Sequence, residues 1–140
     1  MNKKIILLVE DDPDHEELTL IALKQSNILN EVVVARDGAE ALDFLFRRGE
    51  FADAPTPDLI LLDLNLPKVD GHEVLEDIKG DERLSRIPVI VVTSSQAEED
   101  VAKSYRLHAN AYVTKPIEPA AFLRAVSAIG RFWLEIVRRP

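Results

Sequence analysis

The chain has 140 residues, 46% of them hydrophobic and 30% charged, a balance that suits one globular domain spanning 1–140 and leaves no room for a second. A formal net charge of -8 sets most of the surface against nucleic acid, and the absence of cysteine excludes disulfides and thiolate metal sites. The apolar run near the start is too short for a signal-peptide core and no later stretch would span a bilayer, so no membrane partner is expected and the expected setting is cytoplasmic.

Ile5 to Val9 is a continuous apolar run that ends in Glu10, Asp11 and Asp12, and it reads as a strand buried on both faces of a parallel sheet. Asp12-Pro13 supplies a helix start, the aspartate as cap and the proline in the first turn. The helix continues to about Gln25, with Leu18, Ile21, Ala22 and Leu23 at roughly helical spacing. Glu31 to Ala35, with three consecutive valines, is a second strand. After Asp37-Gly38 a helix is predicted over Ala39 to Arg48, with Ala41, Leu42, Leu45 and Phe46 on its apolar face and Gly49 placed to end it. Glu50 to Pro57 is a surface loop or carries a short extension of that helix.

Leu59 to Leu62 is the central strand, and Asp63 stands directly at its carboxyl end. The turn Lys68-Val69-Asp70-Gly71 leads into a helix with Val74, Leu75 and Ile78 facing the core, broken at Gly80 and Asp81. Val89 to Val92 is an almost purely β-branched strand with Thr93, Ser94 and Ser95 at its end. A polar helix over Ala97 to Leu107, a short strand over Ala111 to Thr114 and a helix from about Glu118 to Val137 complete the chain.

Strands alternating with helices predict an α/β fold, a doubly wound five-stranded parallel sheet. In the flavodoxin-like strand order, 2-1-3-4-5, the first and third strands are neighbours and the site lies at their switch point, outside the carboxyl ends of the strands. Glu10, Asp11, Asp63, Thr93 and Lys115 then gather on one rim. Crowded carboxylates repel, and a raised pKa or a bound hard cation such as Mg2+ relieves them. Each residue alone has a plainer role, Asp12 as a helix cap, Thr93 in a turn and Lys115 in solvent; their conjunction carries the information.

The stretches LLVEDDP, LILLDLNLPKVDG, VIVVTSS and YVTKP, in this order and spacing, resemble the receiver domain of two-component response regulators (the CheY-like fold) over essentially the whole chain. The resemblance implies that Asp63 is the phosphoacceptor, taking a phosphoryl group from a phosphohistidine of a sensor histidine kinase. It implies a Mg2+ ion, with Mn2+ as a substitute, held by Asp11, Asp63 and the Asn65 backbone carbonyl, with Glu10 reaching it through water. Asp12 falls one place too late and keeps its capping role. Lys115, aimed by a cis bond to Pro116, would place its charge on a phosphoryl oxygen, Thr93 would bond the phosphoryl group after transfer, and Tyr112 would turn into the space that Thr93 vacates.

Beyond Gly130, where such a domain usually ends, RFWLEIVRRP places Phe132, Trp133, Ile136 and Val137 at helical spacing, the pattern of an extended helix with a partner surface. Packing back onto the same domain is the alternative. RRGEFADAPTPDLILLDLNLP, SYRLHANAYVTKP and RFWLEIV are similar to the small single-domain regulators paired with bacterial and cyanobacterial phytochrome kinases. That similarity implies a phytochrome partner, no effector domain, and a homodimer through the fourth helix, fifth strand and fifth helix.

Two other functions compete with this reading. Aspartyl phosphatases of the haloacid dehalogenase type need an acid two residues after the nucleophile, and Asn65 cannot donate that proton, so the chain is not expected to be an enzyme beyond slow self-dephosphorylation. A pseudo-receiver binding module would lack one of the acids, the threonine or the lysine, and all are present. His15, His72 and His108 are expected in surface or packing roles, with His15 the one near the acidic pocket.

Overall fold

The apolar runs form one parallel sheet, and the order of its strands brings residues far apart in sequence to a common rim. The computed structural model describes residues 4–25, 31–94, 98–115, 118–121 and 124–125. Its strands are β1 (Ile5–Val9), β2 (Glu31–Ala35), β3 (Leu59–Leu62), β4 (Val89–Thr93) and β5 (Ala111–Thr114). Its helices are α1 (Pro13–Gln25), α2 (Gly38–Leu45), α3 (Gly71–Gly80) and α4 (Glu98–Arg106), with helical turns at 119–121 and 124–125. The order across the sheet is β2-β1-β3-β4-β5, as expected.

Alternation along each strand sends side chains to opposite faces and divides the core in two. Leu7, Val9, Ile60, Leu62, Val89 and Val91 pack with Leu42, Phe44 and Leu45 of α2 and with Val74, Leu75 and Ile78 of α3. Ile6, Leu8, Leu59, Leu61, Ile90 and Val92 form the other layer with Leu23 of α1. All four residues of β3 are 0% exposed, which requires cover on both faces and explains why the strand shows no polar alternation. Each such aliphatic side chain contributes roughly 1.5–3 kcal/mol by leaving water.

Helix α1 spans Pro13–Gln25, as the helical spacing predicts. Leu18 and Ile21 point to solvent, 53% and 44% exposed, while Thr19, Ala22 and Leu23 are buried. The buried stripe of the helix therefore runs through Thr19 rather than Leu18. Among the described residues no helix is long and apolar enough to cross a membrane.

Helix α2 ends earlier than predicted. Arg47 takes the left-handed conformation (φ 56°) usually given to glycine, its N–H donates to the Phe44 carbonyl, and the Arg48 N–H donates to the Asp43 carbonyl. This pairing closes a helix of the Schellman kind, so Arg47 does what Gly49 was expected to do. Gly49, also at positive φ, instead opens a 3-10 turn over Gly49–Phe51. That turn settles the conformation of the following loop: Phe51 packs edge-on against Phe44, with ring centroids 5.6 Å apart. Arg47 and Arg83 both donate to the Thr56 hydroxyl, at 2.8 and 2.9 Å, and clamp the loop to the α3–β4 connection.

Strand β4 runs one residue further than predicted, through Thr93, whose partner on β5 is Thr114. Ser95, Pro116 and the C-terminal set Phe132, Trp133, Ile136 and Val137 lie outside the described residues, as does most of the predicted last helix.

Candidate functional site

Glu10, Asp63, Thr93 and Lys115 are each delivered by the end of a strand. The Asp63 N–H donates to the Val9 carbonyl at 3.1 Å, and the Glu10 N–H donates to the Ala35 carbonyl at 2.9 Å, so the ladder continues one residue past β1 and β3. The Lys115 N–H donates to the Thr93 carbonyl at 2.9 Å and does the same between β4 and β5. These bonds hold the backbone of all three residues in register at one rim.

The loop after β3 is held from below by two close approaches. A Cβ on Gly71 would lie 2.4 Å from the Leu64 Cα and 2.5 Å from the Asp63 carbonyl oxygen, and one on Gly38 would lie 2.2 Å from the Val69 carbonyl oxygen. Neither position tolerates a side chain without moving backbone. The Gly71 N–H donates to the Leu64 carbonyl at 3.0 Å, which draws the start of α3 against the residue next to Asp63.

At the rim Glu10 and Asp63 are almost fully buried, whereas Asp11 is exposed. One carboxylate oxygen from each of Glu10, Asp11 and Asp63 lies within 4.8 Å of the others. The Lys115 ammonium donates to Asp63 Oδ2 at 2.9 Å and to Glu10 Oε1, and it lies 3.0 Å from His15 Nδ1. The other Asp63 oxygen, Oδ1, accepts the Asn65 N–H at 3.1 Å. Glu10 Oε2 accepts the Asp12 N–H at 3.2 Å.

Burial pushes the Glu10 carboxyl above its ordinary range, and the Asp63 charge adds to this against the pull of Lys115. Burial alone would lower the Lys115 ammonium, but its bonds to Glu10 and Asp63 outweigh that and raise it. Lys115 is thus a fixed positive charge. Three carboxyl groups meet there beside a single ammonium, and the donors are all hard oxygens. That donor set and charge fit a divalent cation of the Mg2+ or Mn2+ type.

Thr93 is fully buried at the end of β4, and Tyr112 is half-buried on β5, packed on the layer that contains Val91. Asp12 caps α1 as expected: its Oδ1 accepts the Asp14 N–H at 2.9 Å and the His15 N–H at 3.4 Å, and the first of these bonds holds its carboxyl below the usual range. His72 is buried, with Nε2 3.4 Å from the Ser104 hydroxyl, and packs α3 against α4. His108 is exposed in the turn before β5, at positive φ. The contact between His15 and Lys115 had no sequence signal beyond the proximity of His15 to the acidic turn, because 100 residues separate the pair.

Comparison with known proteins places this geometry among relatives. Residues 6–127 match the family model described as the response regulator receiver domain. Response regulator Rcp1 of Synechocystis sp. (strain PCC 6803) is 49% identical over 137 residues, 98% of this chain and 93% of that protein. A crystal structure of Rcp1 in its Mn2+-bound form superposes with a TM-score of 0.79, over 98% of this chain and 99% of that one. The bacteriophytochrome response regulator RtBRR is 53% identical with a TM-score of 0.86, over 94% and 81% of the two chains. The phosphorylated cyanobacterial phytochrome response regulator RcpA is 47% identical with a TM-score of 0.81, over 99% of both.

Proposed function

The chain belongs to the response regulator receiver domain family, and from that premise we propose that Asp63 takes the phosphoryl group of a phosphohistidine on a sensor kinase. The observation that carries the reading is Asp63 itself: a nearly buried carboxylate at the end of the central strand, 2.9 Å from a lysine ammonium and within 4.8 Å of two further carboxylates.

A carboxylate oxygen of Asp63 forms the new O–P bond as the N–P bond of the phosphohistidine breaks, and the imidazole leaves and regains a proton from solvent. The backbone N–H of Asn65 and the ammonium of Lys115 orient the carboxylate for that attack. As charge moves onto the phosphoryl oxygens, Lys115 turns a donor from the carboxylate to one of them. Glu10, Asp11 and Asp63, with the Asn65 carbonyl, would hold a divalent cation, Mg2+ in the cell. When bound it spreads the charge of the transferring phosphoryl group. The Thr93 hydroxyl bonds the phosphoryl group after transfer, and Tyr112 follows it inward as the switch.

The partner is a histidine kinase of the phytochrome class, a reading supported by the likeness to the bacteriophytochrome response regulator RtBRR and the cyanobacterial phytochrome response regulator RcpA. The chain acts in the cytoplasm as a single receiver unit. It assembles as a homodimer through α4, β5 and the C-terminal stretch that contains Phe132, Trp133, Ile136 and Val137. It turns over no substrate apart from its own phosphoryl group. A phosphatase of the haloacid type is not favoured, since the residue two places after Asp63 lends the site its backbone N–H and has an amide side chain.

The test is intact-protein mass after incubation with acetyl phosphate and Mg2+. One phosphoryl mass is expected on the wild type, none on Asp63→Asn and none without metal. Gain on Asp63→Asn, or none on the wild type, would sink the assignment.

A further inference from the structure

The Lys115 ammonium has three protons and three acceptors: Glu10 Oε1, Asp63 Oδ2 and His15 Nδ1. The first two belong to the carboxylate cluster. The third comes from the first turn of α1, where His15 is at the mouth of the site with its side chain 40% exposed. An ammonium only donates, so Nδ1 is the acceptor and the ring proton sits on Nε2, which faces Asp12 Oδ2 at 3.6 Å. The Asp12 cap meanwhile fixes the His15 backbone through the His15 N–H.

The three acceptors differ in what phosphorylation does to them. Asp63 becomes an acyl phosphate, a mixed anhydride, so its carboxyl loses the charge that held the ammonium. Glu10 turns part of its capacity to a cation. The His15 ring alone keeps its state, and it pulls Nζ toward the entrance, where the incoming phosphoryl oxygens arrive. We propose that His15 is a positioning residue: by accepting from Lys115 Nζ it holds the ammonium, which also bonds Glu10 and Asp63, on the side of the site where it meets the phosphoryl group. This inference rests on the receiver reading of Asp63.

Two measurements test it. Nitrogen-15 NMR of labelled histidine reads the contact without any phosphorylation: the expected result is a His15 ring with unprotonated Nδ1 whose resonance shifts in Lys115→Met. A protonated Nδ1, or a resonance indifferent to Lys115→Met, would overturn the inference. The rate of phosphoryl gain from acetyl phosphate with Mg2+ then reads the consequence. His15→Leu removes the acceptor and is expected to slow the gain about tenfold, the scale of one lost hydrogen bond to a charged group. His15→Asn, whose Oδ1 stands where Nδ1 stood, is expected to recover most of the rate. Wild-type rate in His15→Leu, or equal slowing in both variants, would overturn the inference and leave the receiver reading intact. No gain in the wild type would remove both.

Discussion

Glu10, Asp63 and Lys115 show how residue chemistry sets the state of the site before any ligand arrives. Two nearly buried carboxylates would repel each other in low dielectric, and the ammonium bonded to both offsets that repulsion. Asp37 illustrates the same rule in simpler form. Its side chain accepts the Glu40 N–H at 2.7 Å, and this cap, aided by Lys68, holds its carboxyl below the ordinary 3.8. A carboxyl lowered in the folded state binds its proton more readily when unfolded, so its contribution is full above pH 3.8 and is lost as pH falls through the lowered value. Asp37→Ala is therefore expected to cost about 1 kcal/mol at neutral pH, with the difference from wild type narrowing below pH 3.8 in urea unfolding. A difference that stays constant down to pH 2 would show that the charge plays no part.

At the scale of elements, the loop between β3 and α3 and the outer face of α1 carry separate tasks. Gly71 lets α3 start against the backbone of Asp63 and Leu64, and any Cβ there displaces main chain. Gly71→Ala is expected to lower stability by about 2 kcal/mol, read from denaturant midpoints, and to slow phosphoryl gain because Asp63 moves with its loop. Unchanged stability would mean that the loop yields freely. On α1, Leu18 and Ile21 lie one and two turns beyond His15, exposed beside the site that a kinase must reach. Leu18→Glu with Ile21→Glu is expected to cut phosphotransfer from the kinase about tenfold while leaving gain from acetyl phosphate at wild-type rate. Equal loss with both donors would point to damage at the site instead of a docking face.

For the whole molecule, the sheet order decides which rim collects the chemistry, and the proposed homodimer assigns assembly to the C-terminal apolar set. Phe132→Ala with Trp133→Ala is expected to halve the light-scattering mass of the wild-type protein; an unchanged mass would remove that set as the homodimer contact. The strands, their order and the roster of rim residues were legible in the chain, because an apolar run closed by an acid is a local signal and a parallel sheet leaves few topologies to choose from. Helical spacing in α1 left open which face is buried, and geometry puts Thr19 inside and Leu18 outside. Spacing misplaced the end of α2, where Arg47 accepts a conformation that propensity reserves for glycine. The sequence by itself therefore determined the elements and the identity of the acids, lysine and threonine, since these depend on local pattern and residue type. Only the tertiary structure decided that Lys115 meets His15, Glu10 and Asp63 together, and that Gly71 underlies Asp63. Those contacts depend on how crossovers stack distant strand ends, a property that no window along the chain contains.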